Sequence, residues 1–549
     1  TVVGSVDALG IFAIGYSAAD MPEDTIYVSK SGSDTLNDGT YSKPYLTVTK
    51  AMSVAAYGDR VLVMPGTYRE SASVGLKSGV HLMGSGRDGT VIEGTVRFGS
   101  VVHATGVDES AMLSGFTLNG ATKTSTALLV TDADPRVWDC VVTGSTSGSQ
   151  GGGVSVSGES SAAVMDCIIS GNEVSGSGGG VCAYDGATLR MEECDITLNT
   201  AANRGGGVYC ESATLILSDC DVAANSAAAG GGIAFLTAQP SEVLGGRISE
   251  NAASGDGGGI YVSGSAPVIS NVVVSENTAV RGGGIFCSDS PAVVVNDTIV
   301  SNQAAIMGDV GDGLECTGPD LPVVFNCVFS NRYDIQGCEV HYCRLSSEQA
   351  DEGTHNLSVD PMFVDFGDYR LRPGSRVVDA GTGEYGGVAV WPTDALGTPR
   401  TQGAAPDMGA YERTPNTPAG VSVVVTPIGG GTVMFDHVTQ PGETWALPDA
   451  GQNYLEWKPF EWLDGYCDLT STASSEGSIT VELAYNEDHI PSGRAESGLK
   501  MWQREPGSSA ARRPMPARRS KRQRRNICAS TWEIPSLLRG HMRRRFHGA

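Results

Sequence analysis

The sequence predicts an all-β chain built around a single-stranded parallel β-helix, a solenoid of about ten coils. Three observations predict it. Six glycine triplets, at Gly151–Gly153, Gly178–Gly180, Gly205–Gly207, Gly230–Gly232, Gly257–Gly259 and Gly282–Gly284, start 27, 27, 25, 27 and 25 residues apart. A set of asparagines (Asn172, Asn199, Asn225, Asn251, Asn277 and Asn302) keeps the same beat, at steps of 27, 26, 26, 26 and 25. Between them Ile169, Ile196, Val222, Ile248, Val274 and Ile299 form an unbroken β-branched column. Three short strands per period fit one coil, whereas helical solenoids need longer periods and helix formers that this block lacks.

Each part of the phrase has a physical reason. Glycines permit a sharp corner and let successive coils approach closely. An asparagine repeated at one turn can stack and hydrogen-bond its amide to its neighbours. Cys140, Cys167, Cys194 and Cys220 recur at 27, 27 and 26 residues. Parallel side chains about 4.8 Å apart suit a ladder of buried thiols better than disulfides. No CxxC pair points to zinc. From Gly79 to about Ser330, ten coils would span on the order of 50 Å.

Composition bounds the rest. Of 549 residues only 18% are charged and 73 are glycine, without the Gly-X-Y period of collagen. Residues 491–549 hold 15 Lys/Arg against 3 Asp/Glu, so residues 1–490 hold 22 against 59. A body that acidic is expected to repel nucleic acid and attract cations, calcium first among them. No run of 18 apolar residues suggests a membrane-spanning helix. Residues 5–20, SVDALGIFAIGYSAAD, read as the remnant of an export leader, placed at 1–22.

Along the chain, residues 23–72 are expected to cap the first open rung, which would otherwise expose unpaired backbone groups. A strand at Ile26–Ser29 and a polar loop from Gly32 to Lys43 precede a helix opened by Pro44. Leu46, Val48, Met52 and Ala55 would form its apolar face, with a stop at Gly58 and a strand at Val61–Met64. The β-helix is placed at 73–350 and a terminal coil with its cap at 351–412. A small β-rich module is placed at 413–489, with aromatics Trp457 and Trp462 read as core residues. An abruptly basic tail at 490–549 is expected to be disordered or read from a shifted frame.

The cap phrase Tyr27-Val28-Ser29, Gly32-Ser33-Asp34, Lys43-Pro44, Gly58-Asp59 and Pro65-Gly66-Thr67-Tyr68 resembles the N-terminal cap of secreted right-handed parallel β-helix proteins of the pectin-lyase-like kind. The phrase Asn-x-Ala followed by Gly-Gly-Gly-Ile, as at Asn225–Ile233 and Asn277–Ile285, is similar to the repeats of chlamydial polymorphic outer-membrane proteins. Asp360-Pro361, Tyr369-Arg370-Leu371, Asp379-Ala380-Gly381 and Asp407–Glu412 resemble the closing segment of exported bacterial β-helix proteins. These resemblances imply a right-handed fold, export and exposure at a bacterial cell surface. They imply polysaccharide chemistry only weakly, because non-catalytic relatives share the cap.

Two functions are therefore expected to compete. The first is an adhesin-like scaffold that contacts polysaccharide or cell-surface glycan, or a second copy of itself, without catalysis. The second is a calcium-dependent lyase, which would need a cation to neutralise a uronate and a base to take the adjacent proton. Between Gly120 and Asn302 there is no histidine and only five arginines: Arg136, Arg190, Arg204, Arg247 and Arg281. Arg136 and Arg190 share a column, as do Arg204 and Arg281, but neither pair forms an evident catalytic cluster. Catalysis is instead expected, if anywhere, where the coils look irregular, at Asp309–Cys343. There Arg332, His341 and Arg344, with Tyr342, are the catalytic candidates, and Cys316, Cys327, Cys338 and Cys343 suggest a disulfide-stapled or merely buried loop ahead of a metal site. Asp34, Asn37 and Asp38 are the calcium candidates. Asp379, Asp407 and Glu412 are read as turn and cap residues.

Overall fold

The computed structural model describes residues 25–413 apart from 95–98, 121–125, 148–149, 307–309, 373, 401 and 404, together with strands between 420 and 535. The expected leader at 1–22, residues 414–419, Trp457 and Trp462 lie outside the described residues.

One coil defines the rest. Strand Thr188–Glu192 belongs to sheet 1, Asp195–Thr197 to sheet 2, Thr200–Ala201 to a short sheet, and Val208–Glu211 to sheet 3. Among the described residues sheet 1 has 14 strands, sheets 2 and 3 have 11 each, and the short sheet has seven. Every neighbour within these four sheets is parallel and one coil away, as in the register Ile169, Ile196, Val222, Ile248. Inward residues from all coils merge into one core running from Val28 to Leu345.

The asparagine ladder is continuous. Asn199 Nδ2 donates to Asn225 Oδ1 at 3.1 Å and to Ile169 O at 2.8 Å, and its backbone N–H donates to the same Oδ1 at 2.9 Å. The pattern repeats up to Asn331, one rung beyond the regular spacing. The triplets form the corner into sheet 3. A Cβ on Gly207 would sit 2.8 Å from Gly232 O and 2.9 Å from Val222 Cγ1, so neighbouring coils leave no room for a side chain. The thiol ladder is buried and unpaired by disulfides, each Sγ donating to the carbonyl two residues earlier.

Two local expectations change. The helix runs Val48–Val54 rather than from Pro44. Thr47 caps it, Asp34 accepts from the backbone of Leu46 and Thr47, and buried Glu70 accepts from Val48 and Thr49. Five backbone donors, those of residues 46 to 50, are thus satisfied at the helix entry, which fixes the start at the cap rather than at the proline. The coils also do not become irregular after Asn302. Leu314–Thr317, Val323–Phe325 and Val328–Ser330 continue sheets 3, 1 and 2 in register, and Cys316 stacks on Cys287. The longer connection through 307–309 hid a regular coil.

Residues 384–390 belong with the coils, as the antiparallel pair Glu384–Tyr385 and Val388–Ala389. A second unit comprises 359–383 and 391–549. It contains the hairpin Phe363–Asp365 with Asp368–Leu371. Buried Arg400 there donates to the carbonyls of Gly409 and Ala410, beside Asp407 and Glu412. Its sheet pairs Gly420–Val425, Thr432–Gln440, Ser474–Tyr485, Ile527–Pro535 and Arg518–Arg524. The last two of these strands fall within residues 490–549.

Candidate functional site

The catalytic candidates of the sequence do not converge. Arg332 lies at the rim of sheet 3, paired with the buried Asp312 at 3.0 Å. His341 lies on the outer face of sheet 1, stacked on Tyr385 at 4.3 Å and hydrogen-bonded to Thr354 at 3.0 Å. Arg344 bridges Val328 and Leu357 along sheet 2 and donates to Phe329 O. Three faces of a coil hold them apart, so they form no single base-bearing patch.

The calcium candidates are engaged in the cap loop. Asp34 holds the helix entry, Asn37 Nδ2 donates to Pro44 O at 2.7 Å, and Asp38 accepts from Thr40. No group of three or more His, Cys, Asp or Glu among the described residues is arranged to hold a metal ion.

A different constellation emerges from the register of sheet 1. Its outward residues form two parallel columns. One reads Arg60, His81, Met112, Arg136, Ala163, Arg190. The other reads Leu62, Met83, Ser114, Trp138, Met165, Glu192. Arg60, Arg136 and Arg190 are exposed, and Trp138 is half-buried. His81 stacks obliquely on Trp138 at 4.7 Å and hydrogen-bonds Ser114 Oγ at 2.9 Å. Burial, reinforced by Arg60, pushes the His81 pKa down to about 4, so this ring is neutral near pH 7. An acidic edge borders these columns. Asp139, Asp166, Glu193 and Asp219 occupy one turn on successive coils, all with left-handed backbone. Arg87 ties the first two together, at 3.2 Å from Asp139 and 3.4 Å from Asp166.

The sequence had placed Arg136 and Arg190 in one column, and the register agrees. It missed Trp138, His81 and Arg60. The signal was available: residues four and two before each ladder cysteine face outward, which selects Arg136 and Trp138 from Cys140. The earliest coils lack the cysteine, so His81 and Arg60 could not be aligned by it.

The family described as right handed beta helix region matches residues 101–229 and again 152–328. The coiled region is a right-handed parallel β-helix. Similar solved structures include pectate lyase Pel9A, at 15% identity and TM-score 0.42, covering 71% of this chain and 96% of that one. XylC in complex with xylose is similar at 10% identity and TM-score 0.38, covering 71% and 99%. The A-module of the Azotobacter vinelandii mannuronan C-5 epimerase AlgE4 is similar at 15% identity and TM-score 0.33, covering 57% and 94%. No curated protein matches the chain. No helix among the described residues is long and apolar enough to cross a membrane.

Proposed function

We propose that this protein is an exported β-helix scaffold that contacts acidic polysaccharide through the outer face of sheet 1, binding rather than cleaving it. The observation that carries the reading is the alignment of Arg60, His81, Arg136 and Arg190 in one column beside Trp138. Arg136 and Arg190 are two coils apart, on the order of 10 Å, and so present separate cationic contacts to an extended polyanion. Trp138 offers a flat apolar face to a sugar ring. His81 is a poor proton acceptor near neutral pH because its pKa sits far below it.

One observation favours the lyase as a second reading. The acidic edge of Asp139, Asp166, Glu193 and Asp219 runs alongside the arginine column, and a row of negative charge of this kind attracts cations in general. The two readings separate in one experiment. The full chain is incubated with polygalacturonate, alginate and heparin, with and without calcium, following both binding and the ultraviolet absorbance of unsaturated uronate. Saturable binding that weakens with salt and gives no product supports the scaffold. Calcium-dependent product supports elimination, and absence of both contradicts the two readings together.

A further inference from the structure

The outer face of sheet 3 carries a second cluster of chemistry, remote in register from the columns of sheet 1. Its outward column reads Ser155, Cys182, Tyr209, Ala234, Tyr261, Phe286, Glu315. The rings of Tyr261 and Phe286 are parallel, 5.8 Å apart with 5° between planes. The Arg281 guanidinium lies 4.7 Å over the Phe286 ring. The same guanidinium forks onto Asp256, with Nε 2.9 Å from Oδ1 and Nη2 2.7 Å from Oδ2. Glu315 is 5% exposed, and its Oε2 has no hydrogen-bond partner among the described residues. Burial raises the pKa of its carboxyl, opposed by the Arg281 charge and by the backbone of Gly311 and Gly282.

A buried acceptor without a donor is a standing cost, of about 1–3 kcal/mol. Asp256 and Arg281 engage each other, so Glu315 Oε2 is the buried atom of this cluster left short of a hydrogen-bond donor. An anionic ligand is disfavoured, because Asp256 and Glu315 flank the guanidinium. A metal ion is disfavoured by the Arg281 charge between those two carboxyls. A neutral pyranose meets the demand. Its hydroxyls donate to a carboxylate and accept from a guanidinium, while its C–H face packs on an aromatic ring. Arg281, 39% exposed at its side chain, is the group that must swing from Phe286 to admit it.

We propose that Asp256, Tyr261, Arg281, Phe286 and Glu315 form a second saccharide site, selective for neutral pyranosides. It goes beyond the acidic-glycan reading of sheet 1 and does not depend on it. The test is saturation-transfer NMR on the full chain with cellohexaose, xylohexaose and mannohexaose, each repeated with trigalacturonate as competitor. At least one neutral hexasaccharide is expected to bind, about tenfold more weakly to Tyr261→Ala and Glu315→Gln, with unchanged binding to Trp138→Ala. Arg281→Lys, which keeps the charge but loses the fork, provides a third variant should Glu315→Gln melt early. No binding of any neutral hexasaccharide overturns the proposal. So does binding that survives all three substitutions, binding displaced by trigalacturonate, or calcium uptake that Glu315→Gln abolishes.

Discussion

Sheet 1 presents one outer face with two different ends. Over its earlier coils the outward residues are Arg60, His81, Arg136, Trp138, Arg190 and Glu192, open or half-open to solvent. Over its later coils they are Val268, Ser270, Val293, Val295, Val323 and Phe325, and Ser270, Val295 and Phe325 are almost completely buried. The hairpin of residues 384–389 covers part of that end. Tyr385 lies 5.9 Å from Phe325, and a Cβ on Gly386 would touch Val323 Cγ1 at 3.3 Å. Inward columns hardly change between the two ends, because each coil must stack on the next. Outward columns are free of that constraint, so function is to be read there, in register, rather than from the repeat.

The largest expected effect falls at the covered end. Phe325→Ala removes a fully buried ring and should cost about 3–5 kcal/mol, seen as a lower denaturation midpoint. Arg136→Ala, at an exposed outward position of the open end in the neighbouring column, should cost no more than about 0.5 kcal/mol. Equal costs would erase the distinction between the ends. The ladder beneath both ends should respond alike wherever it is cut. Asn251→Ala leaves Val222 O without its donor and Asn225 without its acceptor. Val222 O, the Asn225 backbone N–H and one Asn225 Nδ2–H each lose a partner, and unmet buried groups at about 1–3 kcal/mol each predict a loss comparable with Phe325→Ala. A negligible loss would show the ladder to be ornamental.

Much of this was legible in the sequence, and the limit was physical. Periodic Gly, Asn and β-branched residues report inward constraints, which recur in every coil and so reveal themselves. Trp138 and His81 recur nowhere, since an outward residue answers to no neighbour above or below. Arg332, His341 and Arg344 looked like a cluster because they are close in the chain, yet a coil of some 26 residues distributes neighbours over three faces. The helix entry was misplaced for a related reason. Glu70 and Asp34, which fix it at Val48, come from elsewhere in the cap and leave no local signal.

A smaller effect compares the two histidines, one at each end of the face. Burial lowers the pKa of both His81 and His341. With a folded value below the unfolded one, each contributes stability that is full above pH 6.5 and is lost as pH falls through the folded value. His81 should titrate at about 4 in an NMR pH series. A midpoint near 6.5 would mean that its stacking on Trp138 does not exclude water.

The second unit should show the opposite sign. Burial raises Asp407 to about 7 and Glu412 to about 8. Raised carboxyls contribute stability that is full below the unfolded values near 4 and is lost as pH rises through 7 to 8. Its melting temperature should fall between pH 5 and pH 9, and a rise would show that Arg400 keeps both carboxylates ionised.

The central claim is that the open end of sheet 1 is the contact face. Its most direct test is the affinity of the full chain for polygalacturonate and alginate after Trp138→Ala with Arg136→Ala and Arg190→Ala. The account predicts a loss of tenfold or more with an unchanged melting temperature. Undiminished binding by this triple variant, with loss instead on substituting Arg332 or Arg344, would contradict it.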